Sequence, residues 1–520
     1  MISVTSAVPE PRCGSGSRRS RRARCRGASA AYRLSTMTLD VIRVADRVAG
    51  DAIERLTSAH HARRLGKLGR SAQRTPPDDG RLCAAGDPPP RPGNALDVLI
   101  EGAEYFPALE QAIRCARRSV LIAGWCITPE FAVLRGEPPV LLRELLREAA
   151  ESVEVRVLLW AGAPVPVFAP RRSSVRAARD QLVRGTRIKV ALDSNERPMH
   201  CHHEKLVVID DEIAFVGGID MTDLGGDRYD TPEHPARGRM GWHDVASRLR
   251  GPAVGDVAGH IAQRWEAVTG ERLQAQPADV ASAGEVELQI VRTVPEKLYD
   301  FAPHGDFRII EAYLRALRSA QHLVYLENQF LWSPEVVNIL ADKLRRPPVD
   351  EFRVVLMLPG KPNTGQDDTR GQLALLAQAD GDHERFLATT IRARSGNTSD
   401  RVYVHAKVGI VDDRWLTLGS ANLNAHSFYN DTEVNLVTSN AALARDTRLR
   451  LWAAHLERDI DEVAGDPSTV IDELWRPIAA EQRERRNRGE PITHKLVELR
   501  ATSRRSERLL GPVQALLVDG

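Results

Sequence analysis

Two histidine–lysine pairs are the residues of this chain whose types and spacing could do chemistry. His405 and Lys407 are separated by one residue, and His203 and Lys205 repeat that spacing about two hundred residues earlier. Because strand side chains alternate between two faces, each pair projects an imidazole and an ammonium from one face. Apolar, largely β-branched residues follow each pair, which predicts a buried strand in both places.

The two copies share more than the pair. In each, an aspartate, a glycine, a small residue and an amide or acid follow at the same spacing. The matching positions are Asp210 with Asp412, Gly217 with Gly419, Gly218 with Ser420, and Asp220 with Asn422. A lone pair of this kind is usually a plain surface strand, but two matches to so long a pattern do not arise by chance. We therefore predict that both copies build one catalytic site.

Such a site suits cleavage of a phosphodiester. This anion has a poor alkoxide leaving group, so its cleavage needs a nucleophile, an acid and surrounding positive charge. One imidazole can attack phosphorus and become a phosphohistidine, while the other protonates the leaving alcohol and then activates water. Lys205 and Lys407 supply charge where many phosphotransferases hold Mg²⁺, so we expect neither a metal nor a cofactor. Ser420, Asn422 and Asp220 suit hydrogen bonds near the phosphate.

The remaining polar positions have a structural interpretation beside any functional one. Asp210 and Asp412 end their strands and are expected to cap backbone, while Gly217 and Gly419 belong to the structural part of the motif. His200, His202 and His203 could suggest zinc, but no partner ligands lie at suitable spacing. The sequence leaves open whether residues 327–330, Trp125, Trp160 and Trp332 line the site or belong to the core. We interpret His243 and His260 as structural.

Alternating strands and helices must position these residues. The predicted strands are 96–100, 119–125, 153–160 and 187–192 in the first half, and 323–329, 352–358 and 390–393 in the second. The predicted helices are 105–117, 140–150 and 175–183, then 307–318, 334–344 and 372–379. The repeat predicts an α/β protein of two similar lobes, each a mainly parallel or mixed sheet flanked by helices, related by a pseudo-twofold duplication.

The domain boundaries follow from composition. Residues 1–94 are a basic, low-complexity segment with a short helix and a Pro-rich linker, where the early arginines form either a solvated tail or an attraction to anionic lipid. Lobe 1 is predicted over 95–285, lobe 2 over 286–475, and a charged tail over 476–520. The six scattered cysteines form no disulfide framework or CxxC motif. Without a long apolar run or a secretory signal, we expect a cytoplasmic protein, peripheral to the membrane.

The duplicated HxKxxxxD pattern followed by GSxN resembles the signature of the phospholipase D superfamily. The resemblance covers roughly residues 95–475, and residues 225–235 and 241–245 are similar to its phospholipid-cleaving branch. It implies that Asp244 and Glu433 are carboxylates that hold the imidazoles. It also implies that His203 is the nucleophile and His405 the general acid and base.

The function implied by this resemblance is hydrolysis of phosphatidylcholine-like lipids at a membrane surface, giving phosphatidic acid and a free headgroup. Water is the expected acceptor, and a small alcohol would give transphosphatidylation. A phosphatidyltransferase of the cardiolipin synthase kind is the alternative, although those enzymes usually carry membrane spans. A nuclease would favour a strongly basic groove with stacking aromatics, whereas the net charge is +2, so no nucleic acid is expected. A non-catalytic binding protein would be expected to have lost a histidine or lysine.

Overall fold

The structure is a computed structural model, which describes residues 52, 54–165, 169–195, 200–273, 281–360 and 366–499. The early arginines of the predicted basic segment lie outside these residues. Helix α1 covers residues 54–67 and is followed by α2 (Ser71–Arg74). Residues 75–90, most of the predicted Pro-rich linker, contain neither helix nor strand.

One mixed sheet forms the centre of the first half. Its elements are β1 (Arg91–Ile100), α3 (Glu101–Arg114), β2 (Ser119–Gly124), β3 (Ala132–Leu134), β4 (Val140–Leu141), α4 (Leu142–Ala149), β5 (Glu154–Trp160), α5 (Arg172–Val183), β6 (Lys189–Asp193), β7 (Lys205–Ile209), β8 (Ile213–Gly217), β9 (Gly241–His243), β10 (Val245–Arg250) and α6 (Val254–Thr269). The spatial order is β1-β10-β8-β7-β2-β5-β6. The β2–β5 and β5–β6 pairs are parallel, and the other pairs in this order are antiparallel.

A second mixed sheet forms the centre of the second half. Its elements are β11 (Val286–Val294), β12 (Asp306–Phe307), α7 (Arg308–Ser319), β13 (Leu323–Glu327), α8 (Pro334–Arg345), β14 (Arg353–Met357), α9 (Gln366–Asp380), β15 (Phe386–Ser395), β16 (Thr398–Val404), β17 (Val408–Val411), β18 (Trp415–Gly419), α10 (Ala425–Tyr429), β19 (Glu433–Thr438), α11 (Ala441–Leu456), α12 (Pro467–Val470), α13 (Arg476–Asn487) and β20 (Leu496–Glu498). A 3₁₀ turn (Ile460–Val463) and a π turn (Ile471–Trp475) lie between α11 and α13.

The second sheet repeats the first strand for strand. Its order is β11-β19-β18-β17-β13-β14-β15, with β13–β14 and β14–β15 parallel and the other pairs antiparallel. Strand β1 joins the two sheets, because Arg91 and Asn94 pair with β11 while Ala95 to Ile100 pair with β10. This is the duplicated α/β architecture that the sequence predicts.

Helices α3, α4 and α5 pack on one face of the first sheet, and α7, α8 and α9 pack on one face of the second. The other faces of the two sheets share one cluster, to which α6 and α11 also belong. Strands such as β5 and β14 are buried along almost their whole length, as expected for strands with apolar residues on both faces. The largest apolar cluster contains Leu158 of the first sheet, Met357 of the second, Trp265 of α6 and Trp452 of α11. The shared core therefore fixes the two halves against each other, which is a condition for a site built between them.

The end of the described chain differs from the predicted charged tail. From residue 476 the chain forms helix α13 and strand β20, and β20 pairs with β15 at the edge of the second sheet. The sequence did not predict this helix because its residues are mostly charged and exposed: only Ala479 and Gln482 of α13 are buried. Residues 476–498 therefore extend the second half, and residues 500–520 lie outside the described part.

Among the described residues, no helix combines the length and the apolar character needed to cross a membrane.

Candidate active site

The two motif histidines meet between the halves. His203 lies just before β7 and His405 just before β17, and their ring centroids are 6.3 Å apart with the planes inclined at 69°. Both side chains are buried, with 3% and 5% of their surface exposed. Two imidazoles at this separation can contact opposite sides of one phosphate group.

Backbone pairing between the halves sets this separation. In the second half, β16 runs parallel to β9 of the first half, and the backbone N–H of His405 donates to the His243 carbonyl at 2.8 Å. In the first half, His202 forms a parallel bridge with Thr432, and the His203 N–H donates to the Thr432 carbonyl at 3.0 Å. Each histidine is thus docked on the residue that precedes a carboxylate of the other half.

Those carboxylates hold the imidazoles across the interface. His203 Nδ1 is 3.2 Å from Glu433 Oε1, and His405 Nδ1 is 2.6 Å from Asp244 Oδ2. Glu433 also accepts hydroxyl hydrogen bonds from Ser420 at 2.5 Å and Ser427 at 2.6 Å. A carboxylate on Nδ1 fixes the ring orientation and the tautomer, and it stabilises an imidazolium when one forms.

The small residue at the equivalent position of each motif copy, Gly218 or Ser420, lies next to a carboxylate. Gly218 stands where the second half has Ser420, and a Cβ at Gly218 would overlap the Asp244 carboxylate. The Ser420 hydroxyl is used to hold Glu433, so it positions a carboxylate instead of pointing to a phosphate. Asn422 is fully buried two residues further on. The two copies are therefore inequivalent at the position next to each carboxylate.

The two lysines lie beside their histidines. Lys205 Nζ is 3.2 Å from Asp220 Oδ2 and donates to the His203 carbonyl at 2.9 Å. Lys407 Nζ donates to the His405 carbonyl and lies 3.4 Å from Gln329 Oε1. Asp220 therefore orients the first lysine, whereas a neutral amide contacts the second.

Comparison with known proteins finds two matching family models and several relatives. The family model described as "Phospholipase D" matches residues 112–241, and the one described as "Cardiolipin synthase, PLD-like domain" matches 313–453. The chain is 26% identical to phospholipase D A of Dictyostelium discoideum over 71% of this chain and 36% of that protein. It is 24% identical to phospholipase D2 of Bos taurus over 69% of this chain and 50% of that protein. The chain belongs to the phospholipase D superfamily.

The share of each relative's length that this chain covers differs between relatives. It is 25% identical to phospholipase D alpha 1 of Arabidopsis thaliana, over 72% of this chain and 66% of that protein. The chain thus spans half or less of the Dictyostelium and bovine relatives named above. The crystal structure of phosphatidylserine synthase from Haemophilus influenzae aligns with a TM-score of 0.48 and 13% identity, over 69% of this chain and 86% of that one.

Arg228 is a member of the site that the sequence did not single out. Its guanidinium lies 4.0 Å from the Trp242 ring centroid, and that ring is 5.1 Å from the His405 ring. One nitrogen donates to the Leu224 carbonyl at 2.9 Å, whereas Nε and Nη1 have no hydrogen-bond partner among the described residues. Burial lowers the pKa of Arg228, and its charge adds to those of the two lysines. A buried cation with unmatched donors favours an incoming anion.

The titration of His405 reflects this concentration of charge. Burial, and then the charges of Lys407, Arg228 and Lys205, hold the pKa of His405 well below its ordinary value of 6.5. Burial raises the pKa of Asp244 to about 6, although Lys407 opposes that shift. A phosphodiester anion entering the site would offset the cations and favour the imidazolium form of His405.

A buried chain of acids and imidazoles lies behind His405. His243 donates from Nδ1 to Glu101, and its Nε2 is 2.6 Å from Glu327, which is 2.8 Å from His455 Nε2. On the other side, His234 Nε2 is 3.1 Å from Glu101. The histidine predicted as structural therefore bridges the halves, and Glu327 bonds to it instead of lining the site.

Among the described residues, two overlapping groups have the chemistry of metal ligands. Glu101, His234 and His243 form one, and His243, Glu327 and His455 the other, with ligand atoms within 4.8 Å of one another in each. The pKa of His243 is raised well above 6.5 by Glu101 and Glu327 against its burial, and that of Glu101 is lowered to about 2 by His243 and His234 against its burial. Burial lowers the pKa of His455 to about 4, so this imidazole is a neutral partner of Glu327. We therefore describe His243 and its two glutamates as buried ion pairs.

The motif aspartates cap the chain that enters the neighbouring strand. Asp210 accepts backbone hydrogen bonds from residues 117–119, and Asp412 accepts them from residues 321–323. Both have positive φ, 57° and 52°, in the turns between paired strands. At Gly217 and Gly419, a Cβ would overlap the adjacent strand β10 or β19. These four residues shape the strands that carry the lysines.

The remaining predicted positions divide between site and core. Trp125 is in the site, with its ring 6.2 Å from the His203 ring and 5.8 Å from Lys205 Nζ. Trp160 is fully buried, and Trp332 donates to Thr369 at 2.9 Å. His200 and His202 both bond to Thr432 Oγ1, at 3.1 Å and 2.9 Å. Asn328 caps Phe330 and Leu423, and His260 bonds to Glu204 at 2.7 Å.

Proposed function

We propose that the chain is a phospholipase D-type phosphodiesterase that hydrolyses phosphatidylcholine-like glycerophospholipids to phosphatidic acid and a free headgroup. The observation that carries this proposal is the pair of His203 and His405, 6.3 Å apart and each held by a carboxylate of the other half. A nucleophile and an acid on opposite sides of one anion are what a two-step displacement at phosphorus needs.

In the first step, His203 Nε2 attacks phosphorus, because Glu433 holds the opposite ring nitrogen. The bond from phosphorus to the headgroup oxygen breaks as the phosphorus–nitrogen bond forms, and His405 gives its proton to the leaving alkoxide. Asp244 stabilises the imidazolium that carries this proton before transfer. Lys205, Lys407 and Arg228 surround the developing negative charge with buried donors.

In the second step, His405 accepts a proton from water, and the resulting hydroxide attacks the phosphohistidine. The phosphorus–nitrogen bond breaks, phosphatidic acid forms, and His203 returns to its neutral state. A small alcohol could replace water in this step and would give a phosphatidyl alcohol. The assignment of His203 as the nucleophile and His405 as the acid and base rests on the resemblance to the superfamily, because each histidine is held by a carboxylate of the other half.

Two features support a lipid substrate over a nucleic acid. The curated relatives named above are phospholipases D, and their similarity extends over 69–72% of this chain. A net charge of +2 also gives little attraction to a polyanion. We therefore place the substrate phosphate of a membrane lipid between the two histidines.

A phosphatidyltransferase is the second candidate. The family model that matches residues 313–453 is described as a cardiolipin synthase domain, and it includes His405 and Lys407. Such an enzyme would form the same phosphohistidine but pass the phosphatidyl group to the alcohol of a second lipid. The acceptor, and not the first step, separates the two candidates.

The test uses the purified full chain in EDTA with dihexanoyl-phosphatidylcholine and ethanol. We expect phosphatidic acid and phosphatidylethanol, measured by mass spectrometry, because three buried cations supply the positive charge around the phosphate. His203→Ala should form neither product. Adding phosphatidylglycerol vesicles distinguishes the candidates, since a transferase would make cardiolipin in preference to phosphatidic acid. Cleavage of DNA alone, or lipid cleavage only with added metal, would refute the proposal.

A further inference from the structure

An apolar cavity of about 450 Å³ opens beside the first lysine. Residues of four segments line it: the loop after β2, the end of β5, residues 169–181 with helix α5, and the loop after β8. The lining includes Ile127, Pro129, Leu159, Val175, Ala178 and Leu224. Its volume lies in the range of small-molecule sites in proteins, and its walls are mostly apolar.

The cavity lies at the edge of the sheet that carries the catalytic residues. Strands β2 and β5 are parallel and both end there, and Gly124 at the end of β2 pairs with Lys205 at the start of β7. Ligands of α/β proteins bind at this carboxyl edge. Trp125, the next residue, contacts Lys205 and His203, and Cys126 after it lines the cavity.

The opposite wall also leads to the site. Asp220 pairs with Lys205, and Thr222 two residues later lines the cavity and lies 3.9 Å from the Cys126 sulfur. The charges of Asp220, Arg228 and Lys205 act on the Cys126 thiol, whose pKa burial raises to about 11. A single wall therefore separates the cavity from the lysine that would contact the phosphate.

An exposed apolar side chain belongs to the cavity wall. Leu224 lines the cavity with 38% of its surface exposed. It is one of five large apolar side chains that are exposed in the described part of the chain. An exposed apolar residue on the wall of an apolar cavity favours contact with hydrocarbon.

We propose that this cavity binds one fatty acyl chain of the phospholipid while its phosphate lies between His203 and His405. The inference rests on the proposed lipid substrate and adds the group that the site recognises besides the phosphate. The wall formed by Trp125, Cys126 and Thr222 separates charged headgroup from hydrocarbon. Burial of each methylene contributes a factor of about four in affinity, so chain length is recognised here.

The test fills the cavity without changing the catalytic residues. Ala178 lies on α5 inside the cavity, and Ala178→Trp should lower kcat/KM for dipalmitoyl-phosphatidylcholine in detergent micelles about tenfold or more, since several methylenes lose their contacts. Activity on a soluble nitrophenyl phosphodiester should stay within about twofold of the wild type, and dihexanoyl-phosphatidylcholine should lose less activity than the dipalmitoyl lipid, because fewer of its methylenes reach the cavity. The nitrophenyl substrate, which has no acyl chain, also reports whether the variant is folded.

Two further variants make the result specific. Ser173→Trp adds the same side chain to an exposed position of α5 that does not line the cavity, and it should leave all three substrates unaffected. Leu224→Ala shortens the exposed wall and should reduce the long-chain lipid alone. Equal losses on short and long chains, or no loss on the long chain, would overturn the acyl site. A wild type that cleaves the nitrophenyl ester but neither lipid would instead refute the proposed function.

Discussion

His203 and Glu433 are 230 positions apart in the chain and belong to different halves, yet the imidazole Nδ1 lies 3.2 Å from the carboxylate. The reciprocal pair, His405 with Asp244, crosses the interface in the other direction. Each half therefore contributes one imidazole and the carboxylate that orients the imidazole of the other half. Neither half therefore contains both an imidazole and the carboxylate that orients it.

Replacing either carboxylate should abolish most activity without removing the histidines. Glu433→Gln and Asp244→Asn are each expected to lower kcat roughly 10²–10⁴-fold, because an amide neither fixes the tautomer nor stabilises the imidazolium. KM should change little, since neither carboxylate contacts the phosphate directly. Initial rates over a range of short-chain lipid concentrations measure both constants. Glu212→Gln, at an exposed position of the same half as Asp244, should match the wild type. A normal kcat in either interface variant would contradict the crossed pairs.

The cations around His405 should control its titration. Burial and three cations hold its pKa well below 6.5, so removing one cation should raise it. Arg228→Gln is expected to move the apparent pKa of His405 to higher pH and to lower kcat/KM, because a donor to the phosphate is lost. The pH dependence of kcat/KM measures the apparent pKa, and NMR titration of the His405 ring shows whether that pKa belongs to His405.

The matched control for this shift is Arg239→Gln. The Arg239 side chain is 59% exposed and pairs with the buried carboxylate of Asp227 in the same segment. It should leave the His405 titration unchanged. If both variants moved the pKa equally, or if Arg228→Gln lowered it, the charge of Arg228 would not be acting on His405.

Much of the fold could be predicted from the sequence because the apolar runs are local signals. The predicted strand 119–125 is observed as Ser119–Gly124, and the predicted helix 334–344 as Pro334–Arg345. Helix α6 and the edge strand β20 were not predicted, since their burial depends on partners far away in the chain. Periodicity reports which face is apolar, not which distant element covers it.

The site residues that belong to a sequence motif could be predicted. Those that are placed only by packing between distant elements could not. His203, Lys205, His405 and Lys407 follow from spacing alone. The spacing does not show that each carboxylate holds the histidine of the other half, because that arrangement depends on how β9 and β16 pair between the halves. Arg228 and the ion pairs of His243 had no sequence pattern of their own beyond residues 225–245, the region that resembles lipid-cleaving relatives.

Breaking the buried ion pairs behind His405 should destabilise the protein in a pH-dependent way. His243→Leu leaves Glu101 and Glu327 buried without their shared cation, at a cost of about 3–5 kcal/mol. The raised pKa of His243 stabilises the fold fully below 6.5, and this is lost as pH rises through the folded value. The pKa of Glu101, lowered from 4.5 to about 2, stabilises it above 4.5, and this is lost as pH falls toward 2.

The stability difference between wild type and His243→Leu should therefore be largest between about pH 4.5 and 6.5 and should shrink in more acidic solution. Denaturant unfolding at a series of pH values measures it. His304→Leu, at an exposed histidine, should show no such dependence. A constant difference across the acidic range would mean that the carboxylates do not depend on His243 for their charge.

Helix α1 should support the carboxylate of Glu433 from outside either lobe. Arg64 forms an ion pair with Glu296 at 2.6 Å, and it donates to the Tyr429 carbonyl and to Asn430 Oδ1, both at 2.9 Å. His61 stacks on Tyr429 with ring centroids 4.3 Å apart. Tyr429 and Asn430 lead directly into Glu433, so α1 tethers the segment that orients His203.

Arg64→Ala is therefore expected to lower stability by about 2 kcal/mol, since its hydrogen bonds involve charge and are largely shielded from water. It should also reduce kcat several-fold at unchanged KM, because Glu433 would hold His203 less firmly while the phosphate contacts remain. Hydrogen exchange of the backbone at residues 429–433 should increase in step with the loss of kcat. Arg63→Ala, one position along the same helix at an exposed side chain, removes the same charge without these contacts and should leave all three measurements unchanged. Equal effects of the two variants would show that α1 acts through its charge, and a stability loss without faster exchange at 429–433 would show that it acts only on the fold.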